Sequence, residues 1–140
     1  MVGILIIAHG TLGESLIHSA SHVMSSGPAQ LLQIGVGLQD DPQTLLPQAM
    51  KLLRALDAGD GVLILSDVYG ATPSNIAGRL LIPGRVEGVA GVNLPMLVRA
   101  LTYRNEPLKT VVAKAMSGGV EGVMQMPMPI AQVKNAATGN

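Results

Sequence analysis

The segment Val2–Ser15, VGILIIAHGTLGES, joins an uninterrupted apolar run to a histidine, a glycine and a polar helix start. Residues 2–8 carry no charge and no polar alternation. A strand with one solvated face would alternate, so this run reads as a strand covered on both faces. His9 and Gly10 then stand at its carboxyl end. Thr11 followed by Glu14 reads as a capping box, in which the hydroxyl accepts from the residue-14 amide and the carboxylate reaches back. The pattern predicts a helix to about Ser25, stopped by Gly27-Pro28.

The same unit recurs along the chain. LLQIGV (31–36) reads as a second strand, and Asp41-Pro42 as an N-cap with proline at the first helical position. That helix is expected to run to about Leu56, with Pro47 bending it or delaying its start. GVLILS (61–66) is a third buried strand and ends in Asp67. Thr72 then reads as an N-cap and Pro73 as the first helical residue. VEGVAGV (86–92) is a fourth strand, NLPMLVRAL starts a helix, and a further helix spans roughly Glu106 to Met116. GVMQM (122–126) reads as a short last strand. One domain over 1–126 with a loose polar tail over 127–140 is the expected organisation, with no internal repeat.

Short apolar strands alternating with helices predict an α/β fold, an open and mainly parallel doubly wound sheet. Such sheets bind ligands beyond the carboxyl ends of their strands. His9-Gly10-Thr11, Asp67–Pro73 and Asn93–Met96 all fall at such ends.

Composition excludes several function classes. Nine basic and nine acidic residues give zero net charge, so no basic field exists for nucleic acid or an anionic membrane. Two tyrosines, without Phe or Trp, leave almost no stacking platform. With no cysteine there is no disulfide framework, thiolate metal site or thiol nucleophile. The mean hydropathy is +0.41, yet every apolar run falls well short of the ~20 residues of a membrane span. The first strand lacks the basic flank and cleavage site of a signal peptide. A soluble cytoplasmic protein is the expectation, with no stable membrane insertion.

A histidine at one strand end beside an aspartate at another makes an activated nucleophile. The carboxylate accepts from one ring nitrogen and leaves the other nitrogen's lone pair free. The loop Gly70-Ala71-Thr72-Pro73 adds small residues that admit close backbone approach and a helix start that offers amides to an anion. Together these suggest phosphoryl transfer through a phosphohistidine, with no metal or cofactor. A structural His9, with Asp67 and Thr72 serving only turns and caps, is the simpler alternative.

GILIIAHG, GVLILSDVYGATPSN and GVNLPMLVRAL, in this order and spacing, resemble the enzyme IIA domain of the mannose-type sugar phosphotransferase system. The resemblance runs from Val2 to about Met126. It implies that His9 accepts phosphate from the carrier HPr and passes it to an enzyme IIB, and that Asp67 orients His9. It implies that Val68, Gly70, Ala71 and Thr72 hold the phosphoryl group. It further implies a four-stranded parallel core, with GVMQM exchanged as a fifth strand across a homodimer. Tyr69 and Ala71 depart from the family, where another aromatic residue and glycine are common. The chain ends soon after its last strand, so the expected acceptor is a separate protein.

Other readings use the same residues. The domain could serve as a regulator read by its phosphorylation state, or as phosphoryl donor to a dihydroxyacetone kinase. LIIAHGTLGES also looks like the start of small tetrapyrrole chelatases, but those would place another ligand histidine later, and all three histidines here lie within the first 22 residues. His18 and His22, four apart with Glu14 a turn earlier, have metal-ligand spacing; a solvated helix face is the plainer reading.

Overall fold

The structure, a computed structural model, describes residues 1–130. Four parallel strands stand in the order β2-β1-β3-β4: β1 (Gly3–His9), β2 (Leu31–Val36), β3 (Val62–Ser66) and β4 (Val86–Ala90). Five helices connect and flank them: α1 (Leu12–Val23), α2 (Pro42–Leu56), α3 (Thr72–Gly78), α4 (Leu94–Thr102) and α5 (Leu108–Glu121). The open α/β architecture and the four parallel strands expected from the sequence are present. Strand order reverses between β2-β1 and β1-β3, so the ends of β1 and β3 frame the crevice where such sheets bind ligands.

The continuous apolar runs are explained by two cores, one on each face of the sheet. Ile4, Ile6 and Ala8 of β1, with Leu63 and Leu65 of β3, pack against α1, α4 and α5. Leu5, Ile7, Val62 and Ile64 point the other way and pack against α2 and α3. Successive strand residues face opposite sides, and both sides here are dry. At the amino-terminal end the buried Arg104 donates to the carbonyls of Val2, Ala29 and Gln30. One guanidinium thus ties α4's exit to β1 and to the chain entering β2.

Several local expectations fail for identifiable reasons. Thr11 has φ −101° and ψ 9°, outside the extended region a cap needs, and its side chain makes no cap hydrogen bond. Thr72 is the first residue of α3 instead of its cap; Ala71 holds the cap position. Pro47 sits inside an unbroken α2, which starts at Pro42 under an Asp41 side chain that accepts from the Gln43 amide. α5 continues to Glu121, past the expected end at Met116. Its Gly118 and Gly119 lie against α4, where an added Cβ would come within 2.7 Å of Arg99 Cβ and of Met96 Cε. Those glycines serve close helix packing and do not stop the helix. Residues 123–126 form no strand within the chain, and the large apolar side chains Val123, Met124 and Met126 are exposed. The tail expected over 127–140 lies outside the described residues from 131 onward.

Candidate functional site

β1 delivers His9 to the carboxyl edge of the sheet as its last residue, and β3 is followed at once by Asp67. Because β1 and β3 are hydrogen-bonded neighbours, the two side chains meet: Nδ1 of His9 lies 2.7 Å from Oδ2 of Asp67. The same carboxylate oxygen accepts from the His9 amide at 2.9 Å, and Oδ1 accepts from the Val68 amide at 2.8 Å. The Asp67 side chain is 8% exposed, whereas that of His9 is 50% exposed. Burial alone would push the Asp67 carboxyl up. The His9 amide, the His9 ring, the Val68 amide and the charge of His9 outweigh it and hold the carboxyl below its ordinary value. An ionised Asp67 only accepts, so Nδ1 of His9 is the donor, and in the neutral ring the lone pair then lies on Nε2.

The corner after β1 depends on glycine. Gly10 has φ +54°, in the left-handed region, and its amide donates to the Val36 carbonyl. Gly35 of β2 lies so near that a Cβ there would come within 2.2 Å of the Gly10 carbonyl oxygen.

Beyond Asp67, residues 68–71 loop over the strand ends into α3. Ser74 braces this loop: its hydroxyl accepts from the Gly70 amide at 2.8 Å and donates to the Ala71 carbonyl at 3.0 Å. Of the residues singled out as phosphoryl ligands, Val68, Gly70 and Ala71 thus already spend their amides, on Asp67, on Ser74 and on the Val68 carbonyl. Thr72 opens α3, with its amide among those a helix leaves without an internal partner. From β4 the chain returns beneath the site, the Gly91 amide donating to the Asp67 carbonyl and the Val92 amide to that of Ser66. Asn93 caps α4 through the Met96 amide and donates to the Gly119 carbonyl of α5.

The structure therefore brings His9, Asp67 and the Val68–Thr72 loop to one edge. Sequence reading missed Ser74, although a serine two residues into a helix that follows Gly-Ala is the signature of a side-chain bond back to the loop. It also passed over Leu12 and Leu38, which with Val68 and Tyr69 present apolar side chains to solvent. His18 and His22 sit together on α1 with ring centroids 4.8 Å apart. Among the described residues no three His, Cys, Asp or Glu side chains gather as a metal site, and no helix is long and apolar enough to cross a membrane.

The family model for phosphotransferase-system IIA components (EIIA-man, the PTS system fructose IIA component) matches residues 3–116, a span that holds the whole site. The chain belongs to this IIA family. It is 34% identical over 130 residues to the PTS system mannose-specific EIIAB component of Escherichia coli (strain K12), with 87% of the chain covered. The match spans 38% of that longer relative. It is 30% identical over 105 residues to the PTS system fructose-specific EIIA component of Bacillus subtilis (strain 168), covering 74% of the chain and 71% of that protein. The mannose/sorbose specific IIA subunit from Enterococcus faecalis has the same fold, with a TM-score of 0.80 at 23% identity over 91% of this chain and 96% of that one. The chain is thus, by family, a IIA component of the phosphotransferase system.

Proposed function

We propose that His9 is the residue that carries the phosphoryl group, taking it from an HPr-type phosphocarrier and passing it to an enzyme IIB. The observation that carries this reading is the His9–Asp67 pair, in which a buried, ionised carboxylate holds Nδ1 as a donor and leaves Nε2 as the nucleophile. Nε2 attacks the phosphorus of the donor's phosphohistidine as the donor's P–N bond breaks, and the donor imidazole leaves with that bond's electron pair. The new N-phosphorylated ring of His9, protonated at Nδ1, is cationic, and Asp67 balances that charge. The second transfer is the same displacement with the acceptor's nucleophile attacking and Nε2 leaving. Catalysis here is positioning and electrostatics, as in phosphoryl transfer generally.

Thr72, through its amide and hydroxyl, is the proposed main ligand of the equatorial oxygens. Val68, Gly70 and Ala71 shape the loop that encloses them, and they lend amides only by releasing Asp67, Ser74 and the Val68 carbonyl. Leu12, Leu38, Val68 and Tyr69 form an apolar rim around His9, suited to partner proteins that arrive and leave in turn. We further infer a homodimer in which residues 122–126 pair with the open edge of β4 of a second copy, working in the cytoplasm. No bound cofactor enters this scheme.

The test is intact mass after incubation with phosphoenolpyruvate, enzyme I and HPr. The wild type is expected to gain one acid-labile phosphoryl group and His9→Ala none. A phosphorylated His9→Ala protein overturns the assignment.

A further inference from the structure

Opposite the phosphoryl site, at the amino-terminal end of the sheet, a cavity of about 300 Å³ opens between α2 and the segment that leads from α3 into β4. Met50, Leu53, Leu80 and Ile82 supply apolar walls, and Arg54 and Arg79 share the lining. Val62 and Val86, the first residues of β3 and β4, form the base, whereas His9 is the last residue of β1. The cavity is therefore a strand's length from the reacting nitrogen and is not part of the transfer site.

Three observations bear on what it holds. First, Met50 is 45% exposed and Ile82 55% exposed, so apolar surface remains in water that a ligand would cover. Second, the one carboxylate in the lining is already engaged. Asp57 accepts from the amides of Gly59 and Gly61 and from the guanidinium of Arg85, which lies outside the cavity. Third, Arg54 and Arg79 have no carboxylate partner among the described residues, so the lining carries an uncompensated positive charge. One wall is also held firmly, since Ile82 and Val86 exchange both backbone hydrogen bonds across the turn at Pro83-Gly84.

We propose that this cavity is a second ligand site, for a small organic acid with an aliphatic body and an anionic head. The body replaces water over Met50, Leu53, Leu80 and Ile82, and the head pairs with Arg54 and Arg79, whose planar guanidinium groups match a carboxylate. An apolar cavity of this volume with few charged groups has the make-up of a small-molecule site. A cation is disfavoured by the two arginines, and a neutral chain would leave them unmatched.

The test is a methyl-resolved NMR titration of the full chain, with sodium octanoate as probe and octylamine as a control of equal chain length. Octanoate is expected to shift the Met50, Leu53, Leu80 and Ile82 methyls saturably, while octylamine leaves them in place. The double variant R54Q/R79Q is expected to bind octanoate at least tenfold more weakly, with its other methyl signals unchanged because both arginines are exposed. Equal shifts with octylamine, unchanged octanoate affinity in R54Q/R79Q, or saturable shifts only at other methyls would overturn the proposal.

Discussion

A carboxylate that is almost wholly buried beside a half-exposed histidine serves two purposes, and they can be separated. Asp67 fixes the ring of His9 and supplies the negative charge that the phosphorylated ring requires. Asp67→Asn keeps the shape but removes the charge, so phosphoryl acceptance should slow by roughly 10²- to 10³-fold, the range for losing one electrostatic group at a reacting centre. A mass-spectrometric time course with a fixed phosphorylated donor measures it, and a rate within threefold of wild type would refute the orienting role. The same carboxyl also contributes to stability. Its folded pKa lies below the ordinary 3.8, so its contribution is complete above that pH and is lost as pH falls through the folded value. Asp57 is lowered too, chiefly by the Gly59 amide, against burial and with help from the Gly61 amide and Arg85. It adds loss in the same acid window. The melting-temperature gap between wild type and Asp67→Asn should therefore narrow between pH 6 and pH 3, and a constant gap would mean that Asp67 is not held ionised by its contacts.

At the scale of elements, the sequence was most informative where one residue type has one physical use. Unbroken apolar runs marked β1 and β3, and Asp41-Pro42 marked the start of α2, because aspartate caps the first amides and proline fits the first helical position. The reading failed where a residue type has several uses. Thr11 and Thr72 look like caps, but whether a hydroxyl reaches an amide depends on backbone angles that tertiary packing sets. α5 runs past its expected end at Met116 because Gly118-Gly119 pack against α4, through contacts some twenty residues away in the chain. The His9–Asp67 contact was legible only because parallel pairing of β1 with β3 could be anticipated. Ser74 carried only a local signal, and Leu38 none. Gly35 is the sharpest test of an element-level constraint, since β2 passes the Gly10 corner with no room for a side chain. Gly35→Ala must move that backbone, at a cost of about 1–3 kcal/mol by analogy with overpacked cores. Melting should fall by several degrees, on the scaling of about 2–8 °C per kcal/mol for domains of this general size. Phosphoryl acceptance should fall further than stability explains when assayed well below the melting point. An unchanged melting curve would show that the corner yields freely.

For the molecule as a whole, the outstanding imbalance is at the β4 edge. Among the described residues β1 and β3 are paired on both sides, while β2 and β4 each leave an outer hydrogen-bonding edge open. A groove beside that edge is lined by Val89, Ala90, Met96, Met116 and Val120. Directly after α5 comes a segment with no regular structure that exposes Val123, Met124, Met126 and Met128. An open edge and an extended apolar segment in one chain are complementary, and a second copy can satisfy both reciprocally, as closed twofold assemblies do. The full chain should therefore be a dimer by light scattering at micromolar concentration, and a chain cut after Gly122 should be a monomer with the four-stranded sheet intact. Exchange of strands also predicts slow kinetics, because partners separate only after the paired segment unpairs. Mixed labelled and unlabelled dimers should scramble far more slowly than a pair held by surface packing alone. A monomeric full chain would refute the assembly. A dimer that persists after the cut would show that residues beyond Gly122 do not make the contact, and would refute strand exchange.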